Sequence, residues 1–543
     1  MAVMPSDSLR SPDEQLARAA ERYQAGRLNE SEQAYRRILR DHPEHAEALH
    51  GLGLIALRAG KAELAAAYLA QAVELSGQSC GWRCDLGEAW IKIGDFAQAV
   101  ACFRRAIALD PASPRSHAGL GIALVRMQRF AESIEPLQKS IDLGNGPAEV
   151  YQHLGKALLQ LNRFGEAEAA ARKALQSAPQ TAENWQNLGE AVGNQRRLDE
   201  AMESFGKAIL LKPDWPQAHY ALGITLGRAG RTDRAIESLK TALRLRPAFG
   251  EAMSNLGAML VGQRKLDEGI QTLRDAVRLR PGHLDTHVEL ARALELAHRN
   301  QEAAEVFAAI LKLSPDNQNV IFHLAALNGS GAPPAAPPAL VAALFNRHAD
   351  TFDAHLLEHL EYRVPLLLEA ALVESQVGTD LDVLDLGCGT GLCGPLLRPM
   401  ARSLAGVDLS AAMLEKAKER GVYDRLAVGE VVARLRAESA AYDLLVAGDV
   451  LCYLGDLSET LCGAARALRP GGYFAFSVEF NEGPGWVLRP SRRYAHSPDY
   501  IRQTADAHGL DVIHLAIAML RREAGKDLSG IIAVLRRPAG AQP

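Results

Sequence analysis

Between residues 12 and 328 the small and apolar positions fall on a fixed spacing. Glycine stands at 53, 87, 121, 155, 189, 223 and 257, each 34 residues after the last. A small residue, usually alanine, keeps the same register at 65, 99, 167, 201, 235 and 303. Proline recurs at 43, 111, 179, 213, 247, 281 and 315. This pattern predicts two antiparallel helices per unit: a Leu-Gly pair allows close packing, the small residue of the second helix meets it, and proline ends the unit because it cannot continue a helix. Large fillers include Phe103, Trp185, Phe205 and Phe307. Units are expected to start near 12, 46, 80, 114, 148, 182, 216, 250 and 284, with a capping helix over 318–328. The periodicity then stops. Residues 329–339, rich in Gly, Ala and Pro, read as a linker. Beyond a helical entry segment near 345–365, strand-like runs at 382–386, 403–407, 426–428, 442–447, 473–478, 512–518 and 530–535 alternate with helical ones. Such alternation predicts a mostly parallel sheet with helices on both faces.

The 34-residue unit resembles the tetratricopeptide (TPR) repeat, which stacks into a superhelix with a concave groove suited to a peptide or another protein. The second half is organised around Val383-Leu384-Asp385-Leu386-Gly387-Cys388-Gly389-Thr390-Gly391. Glycines at alternate positions where a strand turns into a helix let the backbone approach a ligand. An acidic residue ending the next strand, Asp408, can accept hydrogen bonds from ribose hydroxyls. With Asp408-Leu409-Ser410 after it, the stretch resembles the class I S-adenosylmethionine (SAM) methyltransferase signature. The fold expected is an all-α TPR superhelix followed by an α/β Rossmann-like class I methyltransferase domain with a seven-stranded, mostly parallel sheet. The resemblance sets the boundaries as a flexible N-terminus at 1–11, repeats at 12–328, linker at 329–339, methyltransferase domain at 340–537 and a flexible tail at 538–543.

Carried over position by position, the resemblance implies that Gly387, Gly389 and Gly391 face the methionyl part of SAM, with Asp385 supporting its ammonium group. Asp408 would hold the ribose, Met413 would lie against adenine, and Glu430 would accept from the adenine amino group. The entry segment resembles the element that covers the cofactor in such enzymes. Tyr362 and Arg363 could meet the methionine carboxylate, since a guanidinium fork matches it. Asp449 would stand next to the transferred methyl, and Asp449, His355 and His496 are the groups able to act as a base if the acceptor must lose a proton.

Composition narrows the partners. With 543 residues, more than one domain is expected. A formal net charge of -5 gives no bulk attraction to a phosphate backbone, so nucleic acid is not expected. Seven cysteines without a regular framework suggest reduced thiols and a cytoplasmic setting, and no metal site is expected. No apolar run is long enough to span a bilayer. These features point to a SAM-dependent methyltransferase whose TPR arm recruits a protein substrate or partner. The alternatives are a TPR scaffold whose methyltransferase-like domain is a SAM-binding or regulatory module, and a small-molecule methyltransferase using its TPR arm for assembly.

Overall fold

The computed structural model describes residues 11–144, 146–523 and 525–540. Residues 1–10 and 541–543, which hold most of the expected flexible ends, lie outside the described residues. Two compact units divide the chain, Met1–Lys265 and Leu266–Pro543. The division falls inside the repeats rather than at the Pro/Ala segment after them.

The first helix of each repeat starts at Pro12, Ala46, Cys80, Pro114, Ala148, Ala182, Pro216, Gly250 and Leu284, and the capping helix is Gln318–Asn328. First-turn proline at Pro12, Pro114 and Pro216, and serine caps such as Ser79 accepting from the Trp82 amide at 3.3 Å, set several of these starts. Within the first unit, the repeated glycine at 53, 87, 121, 189 and 223 makes room for the bulky residue sixteen positions on. A Cβ on Gly53 would lie 2.5 Å from Leu69, and one on Gly121 2.4 Å from Leu137. The sequence suggested that the small residue of the second helix meets this glycine. Here Leu69, fully buried, lies closer to it than the Ala65 backbone does.

The second unit ends in an α/β domain. Its strands are β1 (Leu381–Leu386), β2 (Ala401–Asp408), β3 (Arg425–Val428), β4 (Tyr442–Ala447), β5 (Leu468–Phe480), β6 (Trp486–Leu488), β7 (Tyr494–His496), β8 (Asp511–Glu523) and β9 (Lys526–Arg536). The first five lie parallel in the order β3-β2-β1-β4-β5, with β9 antiparallel to β5 and β8 antiparallel to β9. β4 is buried on both faces, as a central parallel strand between helix layers must be. One layer, including Ser458–Ala467 and Pro498–Ala507, packs Leu461, Ala464 and Ile501 against Leu384, Leu445 and Phe474. The other, with Val364–Glu374, packs Leu368 and Leu372 against Val383, Leu444 and Ile532.

Two features go beyond the expected seven strands. A short hairpin, β6 with β7, extends the sheet where β7 pairs with Glu479 and Phe480 at the end of β5. The Pro/Ala segment is also docked on the domain. The Ala336 amide donates to Tyr453 O at 2.8 Å, Gly455 donates to Pro334 O at 2.7 Å, and the Tyr494 hydroxyl donates to Pro333 O at 2.6 Å. Phe322 of the capping helix shares a core with Ala336, Val341, Leu488 and Tyr494.

Candidate active site

The strand order reverses between β1 and β4, and a cavity of about 600 Å³ opens at the carboxyl ends of the strands there. The turn after β1 forms its floor. Gly387, Gly389 and Gly391 hold φ of 65°, 55° and 85°, the left-handed region that L side chains rarely adopt. A Cβ on Gly387 would sit 2.3 Å from Val450, while one on Gly389 would meet nothing within 4 Å among the described residues. The loop is braced from within: the Gly389 amide donates to Asp408 Oδ2 at 2.9 Å and the Gly391 amide to Cys388 O at 2.8 Å.

A carboxylate stands at or just beyond the end of each of the four strands around the crevice: Asp385, Asp408, Glu430 and Asp449, all lining the cavity. Asp385, 1% exposed, accepts from the Tyr423 hydroxyl at 2.6 Å. Burial raises its pKa to about 7, against the pull of the Tyr423 bond. Burial also raises Asp408, opposed by the amides of Ser410 and Gly389 that donate to its oxygens. Glu430 caps the helix Val431–Ala437, accepting from Val432 at 2.9 Å and Ala433 at 2.6 Å. Asp449 holds φ 57°, a strained setting for a non-glycine residue, and its amide donates to Ser477 Oγ at 2.8 Å. Its Oδ2 accepts from Arg521 at 2.7 Å, and its Oδ1 has no hydrogen-bond partner among the described residues.

Four of the residues named from the sequence stand elsewhere. Met413 is buried at the start of the helix Ala411–Glu419 and does not line the cavity; its neighbour in the turn, Leu409, does. Arg363 is exposed, and its backbone amide donates to Leu520 O. His355 is exposed on the outer side of the entry segment, while Phe352, Leu356 and Tyr362 of that segment face the cavity. His496 is buried in β7 with Nε2 donating to Gly455 O at 2.9 Å, and burial lowers its pKa to about 4, so it stays neutral. Among the polar residues lining the cavity to which the sequence assigned no role are Arg493 and Arg521. Arg521 is 1% exposed and bridges Asp449 and Glu479, each at 2.7 Å.

The entry segment is clipped to the glycine turn. Thr390 and Arg420 both bond Asp353, Arg420 Nε donates to Thr390 O at 2.6 Å, and Asn346 lies 2.7 Å from Ser410 Oγ.

In the first unit, polar residues on successive first helices pair with one another. Asp85 joins His50 at 2.7 Å and Arg115 at 2.6 Å, and the Asn187 amide group donates to Gln152 O at 2.9 Å.

Comparison with known proteins matches this arrangement. A family profile described as "Methyltransferase domain" covers residues 384–476. Profiles described as "Tetratricopeptide repeat" and "TPR repeat" cover 16–79 and 87–128, and one for the "Cilia and flagella-associated protein 70 C-terminal domain" covers 135–320. The chain is similar to malonyl-[acyl-carrier protein] O-methyltransferase of Pseudescherichia vulneris, 31% identical over 25% of this chain and 53% of that protein. It is similar to the Salmonella typhimurium protein of the same name at 29% identity, over 31% of this chain and 66% of the other. The chain thus spans about half the length of the first of these relatives. Among solved structures it resembles YrrB, a TPR protein with an unusual peptide-binding site, at 21% identity and a TM-score of 0.31, over 34% of this chain and 95% of that one. The chain therefore carries tetratricopeptide repeats followed by a C-terminal methyltransferase domain.

Proposed function

We propose that the protein transfers a methyl group from SAM to an acceptor that the repeats bring to it as, or on, a protein partner. The carrying observation is the crevice itself: a glycine turn with a bare backbone, braced by Asp408, opening on a 600 Å³ cavity ringed by four carboxylates. The residues fit the donor. Its hydroxyls, amino groups and positive charges call for acceptors, and Asp385, Asp408 and Glu430 supply them at successive strand ends. A side chain on Gly387 would displace Val450, so only bare backbone leaves the turn close enough for contact. When bound, SAM supplies an electrophilic methyl on a sulfonium whose departure as a neutral thioether needs no acid.

What the chain contributes is position and exclusion of water. Asp385 carries its charge more readily once a cation lies beside it, which offsets the burial that raises its pKa. Phe345, Phe352 and Leu356 of the entry segment cover the cavity, and Asp353 ties that cover to Thr390 and Arg420. The acceptor named for the relatives is attached to a carrier protein, which supports an acceptor presented by a partner. The test is calorimetric titration with SAM, then transfer from labelled donor. Uptake by the full-length protein, reduced at least tenfold in Asp408→Ala, is expected; undiminished uptake by that variant would sink the reading.

A further inference from the structure

Within the first unit, the cations along one line of the repeats lack the partners that cations elsewhere have. Arginines just before the second helices each hold a glutamate three residues on: Arg129 with Glu132, Arg163 with Glu166 and Arg197 with Glu200. The first helices differ. Cys80–Ile93, Pro114–Arg126, Ala148–Gln160 and Ala182–Asn194 touch one another in turn, so the sides they turn away from the core form one continuous face. On these helices Lys92, Arg126 and Lys156 are exposed, and none is in an ion pair or a side-chain hydrogen bond among the described residues. Glu88 stands one turn before Lys92, but Glu88 and Asp85 are both taken by Arg115. Glu190, the carboxylate that Lys156 does feel, accepts from Gln186 at 2.7 Å, and burial raises its pKa against both. A helix's carbonyl end accounts for a cation in the last turn, as at Lys92 and Arg126. It does not account for Lys156, which stands before the last turn of its helix. Arg126 and Lys156 also converge. Burial first, and then these two cations, lower the His153 pKa to about 4, so no charge of opposite sign separates them there.

Resting on the reading that the repeats present the acceptor on a protein partner, we infer that this face binds an extended, acidic peptide segment through Lys92, Arg126 and Lys156. Like charges drawn together without an anion between them repel, and a carboxylate from outside relieves that repulsion. The reach fits. Packed helices lie about 8–10 Å apart and extended chain advances about 3.3 Å per residue, so carboxylates three residues apart meet successive repeats. A single-stranded nucleic acid is also anionic, but it needs rings for its bases to stack on. The tryptophans of these helices are occupied: Trp82 stacks on His50, Trp90 packs in the core and Trp185 lies under Lys207.

The test is fluorescence anisotropy on the full-length protein at low salt. The probes are labelled Ser/Gly peptides carrying aspartate, asparagine or lysine at every third position, and a single-stranded RNA of similar length. The aspartate peptide should bind, and the other probes should bind about tenfold more weakly or not at all. Arg126→Gln combined with Lys156→Gln should weaken the aspartate peptide about tenfold, and Arg126→Lys combined with Lys156→Arg should keep most of the affinity. Arg129→Gln combined with Arg163→Gln removes the same charge from the second-helix side and should stay within about twofold of the parent. An aspartate peptide bound no better than the asparagine one overturns the proposal, as do equal losses in both Gln pairs or an RNA that binds more tightly than the peptide. Calorimetry with SAM on the same protein keeps the two readings apart. Intact SAM uptake without peptide binding removes this proposal alone, and peptide binding without SAM uptake removes the donor reading alone.

Discussion

At the scale of single residues, the glycine turn separates two costs usually lumped together. Gly387 and Gly389 share the left-handed backbone, yet only Gly387 has Val450 against the place of its missing Cβ. Gly389→Ala should therefore cost about 1–2 kcal/mol of conformational strain alone, and Gly387→Ala about 2–5 kcal/mol with the added overpacking. Chemical denaturation of the two variants side by side measures the difference. Asp385 gives a second residue-scale expectation. Its folded pKa, about 7, lies above the ordinary 3.8 because burial disfavours the charged form. The folded protein then holds a proton that the unfolded chain has released. Stability from this group is full below about pH 4 and is lost as pH rises toward 7. Asp385→Asn, which can still accept from Tyr423, should flatten that slope, leaving the smaller contribution of Asp408. SAM affinity in the parent protein should rise through the same window, as the ionised form meets the ammonium group, and the Asn variant should lose that rise. Unfolding curves and titrations at pH 5, 6, 7 and 8 check both.

At the scale of elements, what the sequence made legible follows from what period and turn chemistry encode. Helix starts repeat every 34 residues because small and large residues recur in one register, helped at some starts by a serine cap or a first-turn proline. β1 and β4 are short, mainly apolar runs followed by Gly387 and by Gly448-Asp449, so both the strands and the acids near their ends could be read. Arg493 and Arg521 could not. One precedes a three-residue strand and the other lies within the polar end of β8, where a charge reads as solvent-facing until its buried partners are known. His355 and His496 were attractive for their chemistry, but side-chain direction decided their place: one points outward, and the other is neutral and spent on a backbone carbonyl. The Pro/Ala segment read as a linker because composition carries no record of where its carbonyls bond. Its hold can be measured. Tyr494→Phe leaves the Pro333 carbonyl without its buried partner and should cost about 1–3 kcal/mol. Limited proteolysis should then cut between residues 329 and 338 faster than in the parent.

At the scale of the whole molecule, repeats and catalytic domain are distinct by family and yet not by packing. The capping helix belongs to the repeat pattern, but its Phe322, 2% exposed, is buried against Tyr494, Leu488 and Ala336 in the second unit. Gln318 of the same helix lines the cavity itself. The capping helix is therefore part of what shapes the site, whereas Phe205 packs against a repeat glycine wholly within the first unit, 2.6 Å from where the Gly189 Cβ would be. Removing either ring leaves a cavity worth about 3–5 kcal/mol, so the two substitutions are matched in cost and differ in address. Phe322→Ala should loosen the docked Pro/Ala segment over the cavity and weaken SAM binding by about tenfold, given the energy at stake there. Phe205→Ala should destabilise the repeats to a similar degree and leave SAM affinity within twofold of the parent. Equal losses of affinity in both variants, measured by calorimetry below either unfolding transition, would mean that the site answers to the entire array rather than to its final helices.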